Sequence, residues 1–456
     1  MTPGRSGAPH LGADVRRIVH IGAPLIINNL STIAVNVADT VMAGRLGAEQ
    51  LAGLAIGNGI WVAVFLLGLG ILMALGPTVA QHYGAGRERD IGEDTRQGLL
   101  LAALISVVVC TALRGAEPLV RAAGIAPAVA LIAQRYLDAL SWGVAGAYGY
   151  HALKQMSEGC GRTLPIMGVM MAVLPLNVAL NYCFVFGRLG MPALGAAGCG
   201  VGSAVSFWLM FALLAAYMSG APFYRRFALW HGEWLPDMSA QMRLLALGAP
   251  IGVSLFLQSG LFTGVALLIG RHGAAAVAAH QVTLNFCGLV FMAPVGFAMA
   301  LAVCVGQALG AGDIAGARRQ ARVGFVLCGA CALCAAAATL ACAPGIVTLY
   351  TNEGAVVEVA LALFGIAAWL QVADGLQVAA AFALRGLKDT RVPMGLNALT
   401  YWGLGFVLAV WLGQPAVLGP RGIWIALATA LSVAALALHT RFHLLTGRLL
   451  RAADRR

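Results

Sequence analysis

The sequence predicts an all-α polytopic membrane protein with twelve transmembrane helices in two six-helix repeats. Three observations lead to this prediction. Of the 456 residues, 60% are hydrophobic and only 10% are charged. Long apolar segments recur from one end of the chain to the other. The second half also repeats residue types of the first half at an almost constant spacing.

The composition excludes an ordinary soluble protein, in which about 25% of residues are charged. Twelve spans of roughly 20 to 25 residues would use most of the apolar residues and leave little for a soluble domain. The composition therefore disfavours a cytosolic enzyme, a disordered chain and a nucleic-acid-binding protein, despite a net charge of +11.

The apolar segments are too long and too uniform for the strands of a β-barrel, which alternate over about ten residues. Each is therefore predicted to be a helix. Charged residues and Gly/Pro clusters separate six spans in the first half, near 18–43, 53–79, 98–114, 130–152, 164–186 and 195–218. Six more follow near 244–269, 276–304, 321–342, 357–383, 393–413 and 421–443. Arg5, Arg16 and Arg17 precede a full-length first span without a cleavage site, so no removable signal peptide is predicted.

Basic residues are distributed unevenly among the predicted loops. The two termini and the even-numbered loops hold 22 of the 29 Lys and Arg residues, and the opposite loops hold six. By the positive-inside rule, both termini are predicted to be cytoplasmic. Of the 29 basic residues, 27 are arginine, which is typical of a GC-rich bacterial genome. The expected location of this multi-pass protein is the bacterial inner membrane.

An internal repeat divides the chain into two similar halves. A single constant shift places Gly22-Ala23-Pro24 on Gly248-Ala249-Pro250 and Met73-Ala74-Leu75 on Met299-Ala300-Leu301, without a gap. Because the shift spans an even number of helices, both halves should have the same orientation in the bilayer. The predicted organisation is an N-lobe (1–218), a cytoplasmic linker (219–243) and a C-lobe (244–456), with a substrate cleft between the lobes.

Ionisable side chains inside the spans are the candidate functional residues, because each costs at least about 2.5 kcal/mol at the centre of a bilayer. Asp39 in the first span and Asp374 in the tenth are the clearest examples. Asn177 and Asn181 lie one helical turn apart and offer amide oxygens to a hard cation or a protonated water. The alternatives are an interfacial position for Asp39 and helix–helix contacts for the other three. Buried charge that is chiefly acidic favours a cationic substrate or coupling ion.

Three cysteines have the spacing of an iron–sulfur cluster motif, Cys328, Cys331 and Cys334. They lie in the ninth span among glycine and alanine, and no fourth ligand is evident. We interpret them as small packing residues and predict no metal site. We also expect no cofactor other than the coupling ion, H⁺ or Na⁺.

The segment Val37–Gly47 closely resembles the first-span motif of the multidrug and toxic compound extrusion (MATE) transporters, NorM-like branch. Glu158–Pro165, Pro175–Gly187 and Leu384–Pro393 match further segments in order, so the resemblance covers essentially the whole chain. It implies a V-shaped arrangement of two lobes and multidrug efflux, in which cationic amphipathic compounds are exported against H⁺ or Na⁺.

The resemblance also implies site residues. The N-lobe cation or proton site would be Asp39 with Asn177 and Asn181, and the C-lobe acid would be Asp374. Two positions depart from the pattern, Gln258 where relatives have an acid and Leu370 where they have a tyrosine. The first change removes a negative charge and the second removes a phenol oxygen, and together they weaken the case for a C-lobe sodium site.

We expect a proton and a cationic substrate to compete for Asp39 or Asp374. Pro24 and Pro250 lack the backbone donor of a regular helix and are predicted bending points in the first and seventh spans. The adaptable substrate cavity is predicted to include Gln258, Phe256, Phe262, Phe286 and Met292, although core packing is the alternative for each aromatic residue.

Two other classes of function stay open. A flippase for lipid-linked saccharides should have more spans and a basic cavity, and a membrane enzyme or channel should have a catalytic cluster or a filter motif. The acidic spans favour the exporter. We therefore expect no enzymatic activity, small cationic drug-like substrates, contact with membrane lipid, no nucleic-acid partner and a monomer.

Overall fold

A computed structural model describes residues 11–453, and these are almost entirely helical, without a β-strand. Eleven segments within this range are helical, long and apolar enough to cross a membrane. The prediction of an all-α polytopic membrane protein is confirmed. Arg5 lies outside the described residues, whereas Arg16 and Arg17 belong to the first helix, Leu11–Gly44.

The first half of the chain and the linker form ten helices. They are α1 (Leu11–Gly44), α2 (Ala48–Leu72), α3 (Leu75–Gly84), α4 (Glu88–Arg114), α5 (Glu117–Ala122), α6 (Pro127–Ser141), α7 (Val144–Gly159), α8 (Leu164–Phe186), α9 (Ala196–Gly220) and α10 (Pro222–Arg225).

The second half forms longer helices and one π-helical segment. The elements are α11 (Met238–Gly270), α12 (Ala274–Gly310), α13 (Ile314–Tyr350), α14 (Gly354–Gly386), α15 (Arg391–Ala398), the π-helical segment (Leu399–Phe406), α16 (Val407–Leu412) and α17 (Gly419–Ala453).

The predicted fourth span, 130–152, is not a continuous helix. It corresponds to α6 and α7, which are separated by Trp142 and Gly143. Gly143 lies against Ala204 of α9, where a Cβ would approach the Ala204 Cα to 2.5 Å. This interrupted pair and the eleven candidate segments, of which 48–84 is itself divided into α2 and α3, together correspond to the twelve predicted spans.

The sequence repeat is confirmed by the backbone. The segment 48–84, which contains α2 and α3, corresponds to α12 at the shift that relates Gly22 to Gly248, and α4 and α13 begin at positions related by the same shift. Glycines with positive φ occupy equivalent turns, Gly47 with Gly273 and Gly86 with Gly312. Glycine adopts this backbone region without the steric cost that a Cβ imposes.

The chain packs as two compact units whose limits differ from those of the sequence halves. The Asp39 unit comprises Ile27–Gly260 and Lys388–Gly395. The Asp374 unit comprises the described residues up to Ile26, Leu261–Leu387 and those from Leu396 onward. Helices α1 and α11 therefore each begin in one unit and end in the other.

Close glycine contacts explain why the first parts of α1 and α11 pack in these units. In the Asp374 unit, a Cβ on Gly22 of α1 would lie 3.3 Å from the carbonyl oxygen of Gly296 on α12. In the Asp39 unit, a side chain at Gly248 or Gly252 of α11 would collide with the α2 backbone. Small residues allow such close approach of helices in membranes. Gly22 and Gly248 are equivalent positions of the repeat.

Candidate functional site

Asp39 is buried inside the Asp39 unit with an exposed fraction of 8%. The Nδ2 group of Asn181 on α8 donates a hydrogen bond to its Oδ1 atom at 2.5 Å. The same amide donates to Asn177 Oδ1 at 3.2 Å, and Asn177 Nδ2 donates to Ser206 Oγ on α9 at 2.9 Å. The structure thus brings the three predicted polar residues together and adds a hydroxyl group from a third helix.

The packing of α8 against α9 determines where Asn181 lies. A Cβ at Gly202 of α9 would collide with the Asn181 amide oxygen. That oxygen, Oδ1, is buried and has no hydrogen-bond partner among the described residues. An acceptor beside a carboxylate can bind a cation or a proton donor.

Two functional candidates near Asp39 were missed by the sequence reasoning. Ser206 anchors Asn177 through the hydrogen bond given above, and Asp39 acts electrostatically on the buried Tyr136 of α6. The sequence contains no signal for either residue, because their proximity to Asp39 depends on how α6 and α9 pack.

Asp374 is buried in α14 with an exposed fraction of 7%, and its Oδ1 atom has no hydrogen-bond partner within the described chain. It acts electrostatically on Cys287 of α12 and on Tyr401 of the π-helical segment. Next to it, Gln371 accepts a hydrogen bond from Thr339 Oγ1 of α13 at 3.1 Å. Sequence reasoning did not identify Tyr401 as a neighbour of this acid.

The two positions that depart from the family pattern have different surroundings. Leu370, one turn before Asp374, is buried in the apolar core of the Asp374 unit. Gln258 lies on the part of α11 that belongs to the Asp39 unit. A leucine side chain offers no oxygen to an ion at that turn of α14.

The predicted cavity residues are divided between the two units. Phe256 belongs to the Asp39 unit and is 45% exposed. Phe262 and Phe286 pack against the apolar core of the Asp374 unit, and Phe286 stacks on Phe364 with ring centroids 5.5 Å apart. Met292 belongs to the same unit and is half-buried.

Pro24 and Pro250 lie inside α1 and α11. Pro24 is two residues before the point at which α1 passes from the Asp374 unit to the Asp39 unit. Pro250 is ten residues before the corresponding point in α11. Bending at these prolines stays a prediction, and the position of Pro24 favours it for α1.

The three cysteines of the C-x-x-C-x-x-C motif lie in different environments along α13. Cys328 is buried, with its thiol 3.7 Å from the carbonyl oxygen of Pro294, whereas Cys334 is exposed. Among residues 11–453, no group of three His, Cys, Asp or Glu side chains is arranged to hold a metal ion.

A polar cavity of about 530 Å³ lies in the Asp39 unit and was not predicted. His82, Asp94, Arg243 and Lys388 contribute to its lining. His82 Nε2 lies 2.9 Å from Asp94 Oδ2. The adjoining Thr390 hydroxyl donates to the carbonyl oxygen of Leu247 at 2.9 Å, which attaches the Lys388–Gly395 segment to α11.

Known proteins resemble this chain over its full length. Multidrug resistance protein PmpM of Pseudomonas aeruginosa is 37% identical over 453 residues, covering 97% of this chain and 94% of the relative. Probable multidrug resistance protein NorM of Xanthomonas campestris pv. campestris is 38% identical, covering 97% of both chains. Multidrug resistance protein MdtK of Pectobacterium atrosepticum is 36% identical, covering 95% of this chain and 96% of the relative.

Solved structures show the same fold at low sequence identity. The eukaryotic MATE transporter AtDTX14 aligns with a TM-score of 0.87 at 21% identity, over 98% of this chain and 99% of the other. The Vibrio cholerae MATE transporter VcmN aligns with a TM-score of 0.84 at 20% identity, over 97% and 98%. The family model MatE matches residues 24–183 and 250–411, so the chain belongs to the MatE family of multidrug and toxic compound extrusion transporters.

Proposed function

We propose that this protein is a secondary active multidrug exporter that moves cationic, amphipathic compounds out of the cell in exchange for H⁺ or Na⁺. It works by alternating access, as a monomer in the bacterial inner membrane with both termini in the cytoplasm. The observation that carries the proposal is the buried Asp39 carboxylate, hydrogen-bonded to Asn181 inside an apolar helical unit. The names of the relatives, which are multidrug resistance proteins, support the same function.

The chemistry of exchange follows from the cost of a buried charge. An ionised carboxylate away from water needs a cation or a proton to neutralise it. A substrate cation and a coupling ion therefore compete for the carboxylate, and the arrival of one favours the departure of the other. The membrane potential adds about 2.3 kcal/mol per charge for each 100 mV.

At Asp374 the local chemistry favours a proton. Leu370 is buried in the apolar core and supplies no oxygen ligand, and the nearby Gln371 side-chain oxygen already accepts a hydrogen bond from Thr339. A hard cation such as Na⁺ needs several oxygen ligands, whereas a proton needs one carboxylate oxygen. We therefore assign H⁺ as the ion bound at Asp374 and leave either ion as the partner of Asp39.

The test uses inside-out membrane vesicles that contain the full chain. Uptake of ethidium or norfloxacin is driven separately by a proton gradient and by a sodium gradient. We expect uptake with at least one gradient, and its loss in Asp39→Asn, Asp374→Asn or both. Asp237→Asn is the matched control, because Asp237 is an acid in the exposed linker whose carboxylate accepts hydrogen bonds from Ser239.

Two results would contradict the proposal. Absence of uptake with either gradient, in vesicles where the protein is folded, would refute the exporter. Uptake at the wild-type rate in both acid variants would remove Asp39 and Asp374 from the mechanism.

A further inference from the structure

The polar cavity of the Asp39 unit contains none of the residues proposed for ion exchange. Four parts of the chain form it, namely α3, the start of α4, the start of α11 and the loop between α14 and α15. Leu244 and Leu247 of α11 contribute an apolar wall, and charged side chains form most of the remaining lining. Its volume of about 530 Å³ is within the range of small-molecule binding sites.

Two of the three acids in this lining already have basic partners. His82 Nε2 lies 2.9 Å from Asp94 Oδ2, and His82 Nδ1 lies 3.6 Å from Asp90 Oδ2. Arg87 Nη1 lies 3.4 Å from the same Asp90 oxygen. The third acid, Glu93, is exposed. The two paired acids therefore have His82 and Arg87 as partners, and not the other two cations of the lining.

Those other two cations are Lys388 and Arg243. Neither has a carboxylate oxygen within 4 Å in residues 11–453. Arg243 Nη1 donates to the neutral hydroxyl group of Ser239 at 3.0 Å. Burial lowers the pKa of Lys388, and nearby arginine charges lower it further, against the opposing effect of Asp94. Two cations that face one cavity without a counter-ion repel each other, so an anion between them would be stabilised.

The backbone holds Lys388 at the cavity at a conformational cost. Its φ is 59°, in the left-handed region that residues other than glycine rarely adopt. Two residues later, the Thr390 hydroxyl group donates to the carbonyl oxygen of Leu247 at 2.9 Å and attaches the loop to α11. Strained backbone of this kind persists where the surrounding structure fixes it, and it is common at ligand-binding sites.

The equivalent arginine of the other repeat has a partner from a distant part of the chain. The shift between the two repeats places Arg17 on Arg243. Arg17 donates a hydrogen bond to the side-chain oxygen of Gln307 within the Asp374 unit. Arg243, by contrast, bonds to Ser239 one turn earlier on its own helix. The comparison favours a partner from outside the chain for Arg243.

We propose that this cavity binds a phosphate group, which Lys388 and Arg243 hold together. Phosphate has oxygens in several directions, so one group can contact both cations, and an arginine can bind two of its oxygens at once. The apolar wall of Leu244 and Leu247 suits the less polar part of a molecule that carries the phosphate. The source is either the headgroup of a membrane phospholipid or a phosphate compound in solution. The site is independent of the proposed exchange, because it uses neither of the two coupling acids.

Two binding measurements on the purified full chain in detergent test the proposal and separate the two sources. The first follows radiolabelled inorganic phosphate at an ionic strength kept constant with chloride. The second counts bound phosphatidylglycerol by native mass spectrometry, with a diacylglycerol of the same acyl chains as the reference without phosphate. We expect saturable binding of one phosphate group per chain in at least one measurement. Binding of phosphatidylglycerol alone identifies a lipid headgroup, and binding of inorganic phosphate identifies a ligand in solution.

Lys388→Gln and Arg243→Gln should each weaken this binding about tenfold or more, because a charge-assisted hydrogen bond is lost. Lys388→Arg keeps the positive charge and should retain most of the binding. Arg225→Gln removes an arginine from an exposed position of α10 and is the matched control, which should bind as the wild type does. Thermal unfolding in the same detergent verifies that each variant is folded. If Lys388→Gln does not fold, Arg243→Gln, at an exposed position, provides the test.

Absence of saturable binding in both measurements would overturn the proposal. So would wild-type affinity in both Lys388→Gln and Arg243→Gln. An equal loss in Arg225→Gln would also overturn it, because the anion would then be attracted by surface charge alone. Neither measurement requires transport, so failure here is distinct from failure of drug uptake in vesicles.

Discussion

Asn181 and Asp39 are joined by a hydrogen bond of 2.5 Å between residues that are 142 positions apart in the sequence. Both side chains are buried, and the bond links α1 to α8 within the Asp39 unit. Asn181 in turn donates to Asn177, which is held by Ser206. The acid is therefore oriented by a chain of three polar side chains that ends on α9.

Asn181→Ala should impair proton-driven uptake strongly. A hydrogen bond to a charged group contributes about 1.5 to 3 kcal/mol, so its loss shifts the ionisation equilibrium of Asp39 toward the protonated form by a factor of about ten or more. We expect the initial rate of ethidium uptake in proteoliposomes at neutral pH to fall about tenfold. Asn352→Ala, in the exposed turn between α13 and α14, should keep the wild-type rate. A wild-type rate in Asn181→Ala would show that this bond does not serve exchange.

Gly202→Ala should disturb the same site from the neighbouring helix. The added Cβ would collide with the Asn181 amide oxygen, so α8 and α9 must separate or Asn181 must move. Overpacking of this kind costs about 1 to 3 kcal/mol. We expect a lower thermal unfolding temperature in detergent together with reduced uptake.

Gly168→Ala provides the comparison for Gly202→Ala. Gly168 lies inside α8, and a Cβ there would have no atom within 4 Å. Alanine is the better helix former by about 1 kcal/mol, so this change should leave uptake intact and stability equal or higher. Equal unfolding temperatures for the two variants would contradict the predicted collision at 202.

Lys388 should make the stability of the protein depend on alkaline pH. Burial in the polar cavity disfavours its ammonium group and lowers its pKa below the ordinary lysine value, although Asp94 partly opposes this effect. The unfolded chain then binds more protons than the folded chain at alkaline pH. Stability should therefore rise as the pH increases toward the ordinary lysine pKa of about 10.4.

Thermal unfolding in detergent at neutral and alkaline pH measures this contribution. Lys388→Gln should be more stable than the wild type at neutral pH, and the difference should shrink as the pH rises. Arg225→Gln, at an exposed position in the linker, should leave the pH dependence unchanged. The same pH dependence in Lys388→Gln and the wild type would rule out this effect of Lys388.

The two compact units do not coincide with the two repeats of the sequence, and this difference could not be predicted from the sequence. The constant shift between the two halves predicts equivalent helices and equivalent glycine turns, as at Gly86 and Gly312, because both are local properties. It does not predict that α1 and α11 pass from one unit to the other. That exchange depends on which helix surface Gly22 and Gly248 meet, and contacts between distant segments leave no periodic signal.

The backbone at Lys388 is a second example. Lys388 has φ of 59°, in the left-handed region that favours glycine. Gly161, adjacent to the equivalent position of the first half, has φ of 74°. A lysine in a polar loop does not indicate a left-handed backbone conformation. The steric cost of its Cβ in that conformation is offset by contacts that exist only in the folded chain, so the sequence contains no signal for it.

The sequence by itself determined the helical membrane fold, the two repeats and the identity of Asp39, Asn177, Asn181 and Asp374 as candidates. These follow from hydropathy, from helical spacing and from the cost of charge in an apolar medium, all of which are properties of short segments. Only the tertiary structure decided that Asn181 bonds to Asp39, and that Tyr136 and Tyr401 lie near the two acids. Those relationships depend on side chains from helices far apart in the chain, and packing alone brings them together.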